Sequence, residues 1–164
     1  MLLAIIAAIP CIRSAASARS AKRLDPIFEA DAWIDVRLTA ARAAGRVVLV
    51  DVFTFECSNC TRVTPNLQAL YARYPRAQLE IVGVHTPEVP AYQARVSYVR
   101  ENARRNRLPW PIALDNAYRI WNAYAVDAWP TQLVFGRSGA LAGRVVGDAQ
   151  DRALNEIVER AMHA

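Results

Sequence analysis

Val47-Val48-Leu49-Val50-Asp51-Val52-Phe53-Thr54-Phe55-Glu56-Cys57-Ser58-Asn59-Cys60 is the stretch whose reading decides the fold. It opens with an almost unbroken apolar, β-branched and aromatic run up to Phe55, the pattern of a central strand covered on both faces. Beyond the cysteines, Val63, Leu67 and Leu70-Tyr71 recur at helical spacing. A strand therefore runs into a helix at Cys57. Unpaired backbone N–H groups and the helix dipole at such an N-terminus stabilise a thiolate. Cys60 follows one turn later on the same face, where it can attack a mixed disulfide held on Cys57. This is the spacing of a redox dithiol.

Zinc is the competing reading of a C-x-x-C pair. It needs four ligands, and the other soft donors, Cys11, His85 and His163, are scattered without ligand spacing. A buried, inert pair fits less well still, because the motif falls at the C-terminal end of a strand, where open α/β sheets place their sites. Asp51 is the second informative residue. A strand period of two points it to the same side as Leu49 and Phe53, in a segment that should be dry. A buried carboxylate is costly unless paired, and desolvation raises its pKa. Its position alone leaves two readings open, a proton acceptor for Cys60 or an ion pair with a nearby arginine. His85 ends a later strand at the same end of the sheet and reads as a satisfied structural histidine ahead of a proton relay. Trp110, Trp121 and Tyr124 read as core.

The 164 residues fit one domain plus a short terminal extension. With 54% apolar and 21% charged residues the composition is that of a globular protein and argues against extended disorder. The net charge of +5 comes almost entirely from arginine, since Lys22 is the one lysine. Arg100, Arg104, Arg105 and Arg107 form the densest basic stretch, read as the solvated face of a helix. No phosphate loop or nucleic-acid motif accompanies it, so no nucleic-acid partner is expected. Three cysteines are too few for a disulfide scaffold. A lone vicinal dithiol suits an exported protein, where nothing else can mispair with it.

Residues 1–18 read as a secretory signal or short anchor: the apolar segment Leu2 to Ile9, then small residues ending Ala16-Ser17-Ala18. That segment is too short to span a bilayer, which takes about 20 apolar residues. Cys11 raises lipidation, but Pro10 before it is a poor match to the small residue such signals need. Residues 19–24 are a linker and 25–164 the folded domain. Asp25-Pro26 predicts a helix start, with Asp25 as N-cap, and a helix reaching Ala44 with Gly45 as its C-terminal cap. Phe28, Ala32-Trp33 and Val36 are expected on its buried side. Strand 47–55, the C-x-x-C helix to about Tyr74 and a strand at Gln78–His85 form a right-handed βαβ unit. Pro65 should kink its helix. Residues 86–116 look like a helical insert, with one helix from about Ala91 to Asn106 leading to Ile112-Ala113-Leu114. A short helix near Ala117–Tyr124 follows, then a hairpin of Thr131–Phe135 and Leu141–Val146. Asp148 is placed to cap a final helix with Leu154, Ile157, Val158 and Ala161 as its apolar stripe.

These elements, in this order, resemble the thioredoxin-like superfamily, within it the TlpA/ResA group of exported thiol–disulfide oxidoreductases and, most closely, the thioredoxin-like domain of DipZ-type proteins. The likeness covers about residues 25–163. It rests on Val50-Asp51-Val52-Phe53 ahead of the C-x-x-C, Pro65 behind it, and Gly83-Val84-His85-Thr86-Pro87-Glu88. It rests also on Ala113-Leu114-Asp115-Asn116, Trp121-Asn122-Ala123-Tyr124 and Trp129-Pro130. Two positions depart from the pattern: Ser58 stands where an apolar residue is usual, and Phe53 where tryptophan is common. Nothing in the 164 residues corresponds to the membrane-spanning or extra C-terminal modules of full DipZ proteins, which leaves the electron donor and the direction of flow open.

The resemblance implies an α/β thioredoxin-like fold, a central mixed sheet flanked by helices. It implies an enzyme whose catalytic residues are Cys57, Cys60 and Asp51, with Asp51 taking the Cys60 proton. It makes Pro130 a cis-proline beside the disulfide, with Trp129 facing the substrate groove or packing beneath it. No metal or organic cofactor is implied beyond the dithiol itself. The implied partners are protein thiols or disulfides and a membrane or periplasmic thiol donor, the implied place is the periplasm, and reduction, for instance in cytochrome c maturation, is the favoured direction. Rival expectations are an oxidase or isomerase of the same fold, a thiol peroxidase, and a non-catalytic binding domain.

Overall fold

The computed structural model describes residues 22–164. The expected leader at 1–18, with Cys11 and the proposed cleavage after Ala18, lies outside the described residues, as does the linker up to residue 21.

One six-stranded mixed sheet organises the described residues, in the order β1-β4-β3-β2-β5-β6. The strands are β1 (Ala32–Ile34), β2 (Val47–Phe53), β3 (Leu79–His85), β4 (Ile112–Leu114), β5 (Thr131–Phe135) and β6 (Leu141–Val146). β2 lies in the middle, parallel to β3 and antiparallel to β5, and all seven of its residues are buried. The unbroken apolar run thus has its physical reason: helices cover both faces. Leu49 and Phe53 face a core shared with α2 (Ser58–Arg73), α4 (Val96–Arg105) and α6 (Asp151–His163). Val48, Val50 and Val52 face the other core, built with a 3-10 turn (Asp25–Glu29), α1 (Ala40–Ala43) and α5 (Arg119–Ala123).

The βαβ unit with its parallel pairing, the hairpin and the final helix form as expected. The basic stretch behaves as a solvated face, with Arg104 and Arg105 paired to Glu101 on the same helix. Three local expectations are corrected. The segment from Asp25 to Ala44 is not one helix but the 3-10 turn, β1 and α1, and Val36 is 58% exposed. β1 is recruited as an edge strand against β4, pairing Trp33 with Ala113, and that ladder outweighs local helix propensity. Thr39, through its side chain, accepts the Arg42 N–H and starts α1, and Gly45 at φ +70° turns the chain into β2. The insert carries two helices, α3 (Pro90–Gln93) and α4, and its tail supplies β4 to the sheet. Asp148 does not cap α6; Gln150 holds that position, and the Asp148 carboxylate accepts from Arg62 instead. α2 runs through Pro65 as a single helix.

Candidate active site

The site forms where β2 ends. Thr54, Phe55 and Glu56 carry the chain from Phe53 to Cys57, which takes the N-cap of α2 in an extended conformation. The Cys60 backbone N–H donates to Cys57 Sγ over 3.2 Å. One of the orphan donors of the helix start is therefore spent on sulfur, and a thiolate accepts such a bond better than a thiol. Cys57 is half-buried, Ser58 is exposed and Cys60 is buried, so the two sulfurs differ in access. Both are free thiols in this structure.

Asp51 projects from β2 toward α2 and is 5% exposed. Its register partner on β5 is Gln132, whose Nε2 donates to Asp51 Oδ1 at 2.8 Å. Burial pushes the Asp51 carboxyl up to about 7, and the Gln132 bond opposes part of that rise. The arginine pair weighed for Asp51 does not form; it is made by another buried acid. Glu80 on β3 is fully buried and lies 3.1 Å from Arg42 Nε and 3.6 Å from Arg46 Nη1. Asp51 instead shares a small cavity with Cys60, lined further by Thr54, Thr64, Leu108 and Trp110. Burial drives the Cys60 thiol far up; its hydrogen bond with Cys57 and the nearby Asp51 charge add to that rise, while a backbone hydrogen bond at Thr54 works against it. Cys60 is thus held as a thiol that needs a base, beside a carboxylate that titrates near neutrality.

The Trp129–Pro130 peptide bond is cis. Thr131 pairs with Val52, so Pro130 stands at the end of β2 from which the Cys57 segment departs. Trp129 is half-buried, with its ring 4.5 Å from that of Trp121 and its indole nitrogen enclosed without a partner among the described residues. His85 does not join the cavity. It is fully buried between Phe53 and Phe55, at centroid distances of 5.6 and 5.4 Å, and neither ring nitrogen has a partner among the described residues. Burial lowers its pKa to about 4, which keeps the ring neutral. It is structural, as the sequence suggests, yet it is caged rather than hydrogen-bonded.

Four features escaped sequence reasoning. Gln132 becomes the partner of Asp51 only through strand register. Gln93, fully buried, accepts at Oε1 from Thr54 Oγ1 and from the Glu88 and Val89 N–H groups, tying the insert to the segment before Cys57. Tyr98 donates its hydroxyl to Glu56, the residue preceding Cys57, at 2.7 Å. Asp115 accepts the Ile120 and Trp121 N–H groups and so starts α5, which gives Ala113-Leu114-Asp115-Asn116 a structural reason. Polar residues inside apolar strands, such as Gln132, and in the insert, such as Gln93, were the signals on offer.

With this geometry in place, the comparisons with known proteins are concordant. The thioredoxin-like family model matches residues 45–141, and the chain belongs to that family. The DipZ protein of Mycobacterium bovis is 30% identical over 119 residues, which cover 73% of this chain and 17% of that protein. The thiol-disulfide oxidoreductase ResA of Bacillus cereus is 21% identical over 116 residues, covering 71% and 64% of the two chains. Among solved structures, a thiol-disulfide isomerase from Corynebacterium glutamicum superimposes with a TM-score of 0.73 at 19% identity, over 82% of this chain and 93% of that one. The last likeness speaks for the fold.

Proposed function

We propose that the protein catalyses thiol–disulfide exchange on protein substrates through Cys57 and Cys60. The observation that carries this reading is the asymmetry of the pair. Cys57 is accessible at a helix N-cap with a backbone donor on its sulfur, while Cys60 is buried as a thiol beside Asp51. In the reductive direction the Cys57 thiolate attacks a substrate disulfide. The Cys57–substrate S–S bond forms and one substrate thiolate leaves. Asp51 takes the proton of Cys60, whose sulfur attacks Cys57; the internal disulfide forms and the second substrate thiolate departs. Pro130 and Trp129 border the groove that receives the substrate chain. The reaction needs no metal or organic cofactor, because the two electrons reside in the dithiol.

A periplasmic reductase role, with the mature chain starting near Arg19 and a membrane or periplasmic thiol protein as electron donor, fits the leader-like sequence at 1–18. Cytochrome c maturation is one process that needs such reduction. The chain spans 17% of the DipZ protein it matches, so what that whole protein does comes here only as a suggestion.

Cys60→Ala is the decisive variant. It should stall with substrate bound to Cys57, and the trapped protein, released by reductant, names the partner class. Absence of any mixed disulfide, with full activity in Cys57→Ser, would replace this reading by a non-catalytic binding domain. A measured reduction potential near that of known oxidants would reverse the direction of flow. Peroxide consumption that depends on Cys57 alone would point to a peroxidase.

A further inference from the structure

Glu56 stands directly before Cys57, and its side chain is exposed. The half-buried Tyr98 of α4 donates its hydroxyl to Glu56 Oε1 at 2.7 Å. Burial, and then the bond to Glu56, push the Tyr98 hydroxyl up, so it stays a donor. Arginines pair with Glu80, Glu101, Asp127 and Asp148, yet no ion pair reaches Glu56 among the described residues. The carboxylate is thus held by a neutral donor, and Oε2 is left for another partner.

The surface behind it is apolar. Among the described residues the exposed large hydrophobic side chains are Val36, Val89, Tyr92, Val96 and Val146; the middle three belong to the insert. Such a concentration marks a place where another chain docks. Tyr92 meets the Tyr98 ring edge-on at 5.3 Å, and Tyr98 meets Phe55 at 6.1 Å. An aromatic surface therefore runs from the insert to the residue before Glu56. Gln93 fixes it in place, accepting from Thr54 Oγ1 and from the Glu88 and Val89 N–H groups.

The sheet order makes this surface continuous with the reacting sulfur. β2 lies between β3 and β5. The insert follows β3 and Pro130 precedes β5, so the Cys57 segment leaves β2 with the insert on one side and Pro130 on the other. A substrate cysteine joined to Cys57 carries its chain between those two walls. Consecutive residues are about 3.8 Å apart along each chain, so the side chain flanking the substrate cysteine comes within reach of Glu56.

We infer that Glu56, held by Tyr98 and backed by Tyr92, is a specificity-determining residue: it selects protein substrates with an arginine or lysine beside the reacting cysteine. The inference rests on the exchange reaction proposed above and names the chemistry of its substrates. The cation pairs with Glu56 Oε2, and its aliphatic stem lies along the Tyr92 ring. A carboxylate already oriented by Tyr98 loses little freedom when the cation arrives. Arg95, at the start of α4, and Arg100 within it are exposed and outside ion-pair distance of Glu56, so the sign of the preference is read by reversing Glu56 itself.

The test uses the reduced full chain and short peptides with one cysteine, blocked as a mixed disulfide with a chromogenic aryl thiol. The residue beside that cysteine is arginine, glutamine or glutamate, on each side in turn. The Cys57 thiolate attacks the peptide sulfur, the Cys57–peptide S–S bond forms, and the aryl thiolate leaves with the electron pair of the broken bond. Stopped-flow absorbance reads that release. At low salt the arginine peptide should react roughly threefold to fivefold faster than the glutamine peptide, and the glutamate peptide slower by a similar factor. Raising the salt to about 0.5 M should shrink both ratios. Glu56→Gln, which keeps an oxygen for Tyr98, should bring the ratios close to one, and Glu56→Lys should reverse their order. Tyr98→Phe should weaken the order without reversing it.

Equal rates for all three peptides with wild-type protein overturn the inference and leave the exchange reaction standing. An order that survives in Glu56→Gln overturns it too, because the charge is then read elsewhere. Glu56 variants that slow every peptide alike, with the order kept, make Glu56 an anchor of the Cys57 segment and nothing more. An unchanged order in Tyr98→Phe removes the hydroxyl from the account. No aryl thiolate from any peptide overturns the exchange reading itself, and this inference with it. Should Glu56→Lys fail to fold, the ratios in Glu56→Gln decide alone.

Discussion

Asp51→Asn should stabilise the protein at alkaline pH and leave its stability unchanged in acid. The folded carboxyl titrates at about 7 against an ordinary value of 3.8, because burial penalises its charge. A group whose folded pKa lies above its unfolded one contributes most below the unfolded value, and that contribution is lost as pH rises through the folded value. The window therefore runs from about pH 4 to about pH 7. Roughly three units at about 1.4 kcal/mol each bring the cost of ionised Asp51 to roughly 4 kcal/mol above pH 7. An amide at the same position never ionises. Its Oδ1 can still accept from Gln132 Nε2, and its NH₂ faces the cavity. Urea unfolding of reduced wild-type and Asp51→Asn protein at pH 8, pH 6 and pH 4 should thus show a gain of up to about 4 kcal/mol at the first, part of it at the second and almost none at the third. Resolution by Cys60 should slow at the same time, with attack by Cys57 retained and mixed disulfide accumulating. A stability difference constant with pH would mean that Asp51 is not strained by burial, and uniform slowing of both steps would make it a structural acid only.

His85→Phe should protect against acid. The His85 pKa falls from 6.5 to about 4 on burial, so wild-type stability is full above pH 6.5 and is lost as pH falls toward 4. The variant should gain on wild type by roughly 3 kcal/mol across that window, read from paired urea midpoints at pH 7 and pH 4, and an equal gain at both would refute it. Gly83→Ala should destabilise by roughly 1–3 kcal/mol, because a Cβ there would stand 2.8 Å from Phe53 Cε1 in a packed core; a neutral melting temperature would show that the ring yields. Gln93→Ala should release the insert, since three donors lose one acceptor. Limited proteolysis should then cut near residues 86–95 while α2 stays protected, and an unchanged pattern would show that the insert is held elsewhere.

The contrast between what the sequence disclosed and what it concealed follows range. The run Val47–Phe53 and the spacing Val63, Leu67, Leu70 are local periodicities, and they placed β2, α2 and both cysteines because the core on each face demands those side chains. Residues Asp25–Ala44 failed for the opposite reason. Their helix propensity is real, but Ala32–Ile34 gains a ladder against Ile112–Leu114, a partner some eighty positions away, and no local signal announces it. The same holds within the site. Asp51 was legible as a buried acid, since a carboxylate within seven buried positions has few explanations. Which acid found the arginines was not legible, because Arg42 and Arg46 reach Glu80 on the far face of the sheet only once β2 and β3 are in register. Glu80 ends up paired with Arg42 and Arg46; Asp51, on the face toward Cys60, keeps only the neutral donor Gln132. That division has a chemical consequence. An arginine beside Asp51 would hold its carboxyl low and leave it a poor acceptor, whereas a dry pocket with one amide donor brings it to about 7, where it can take a proton from a buried thiol and give it back.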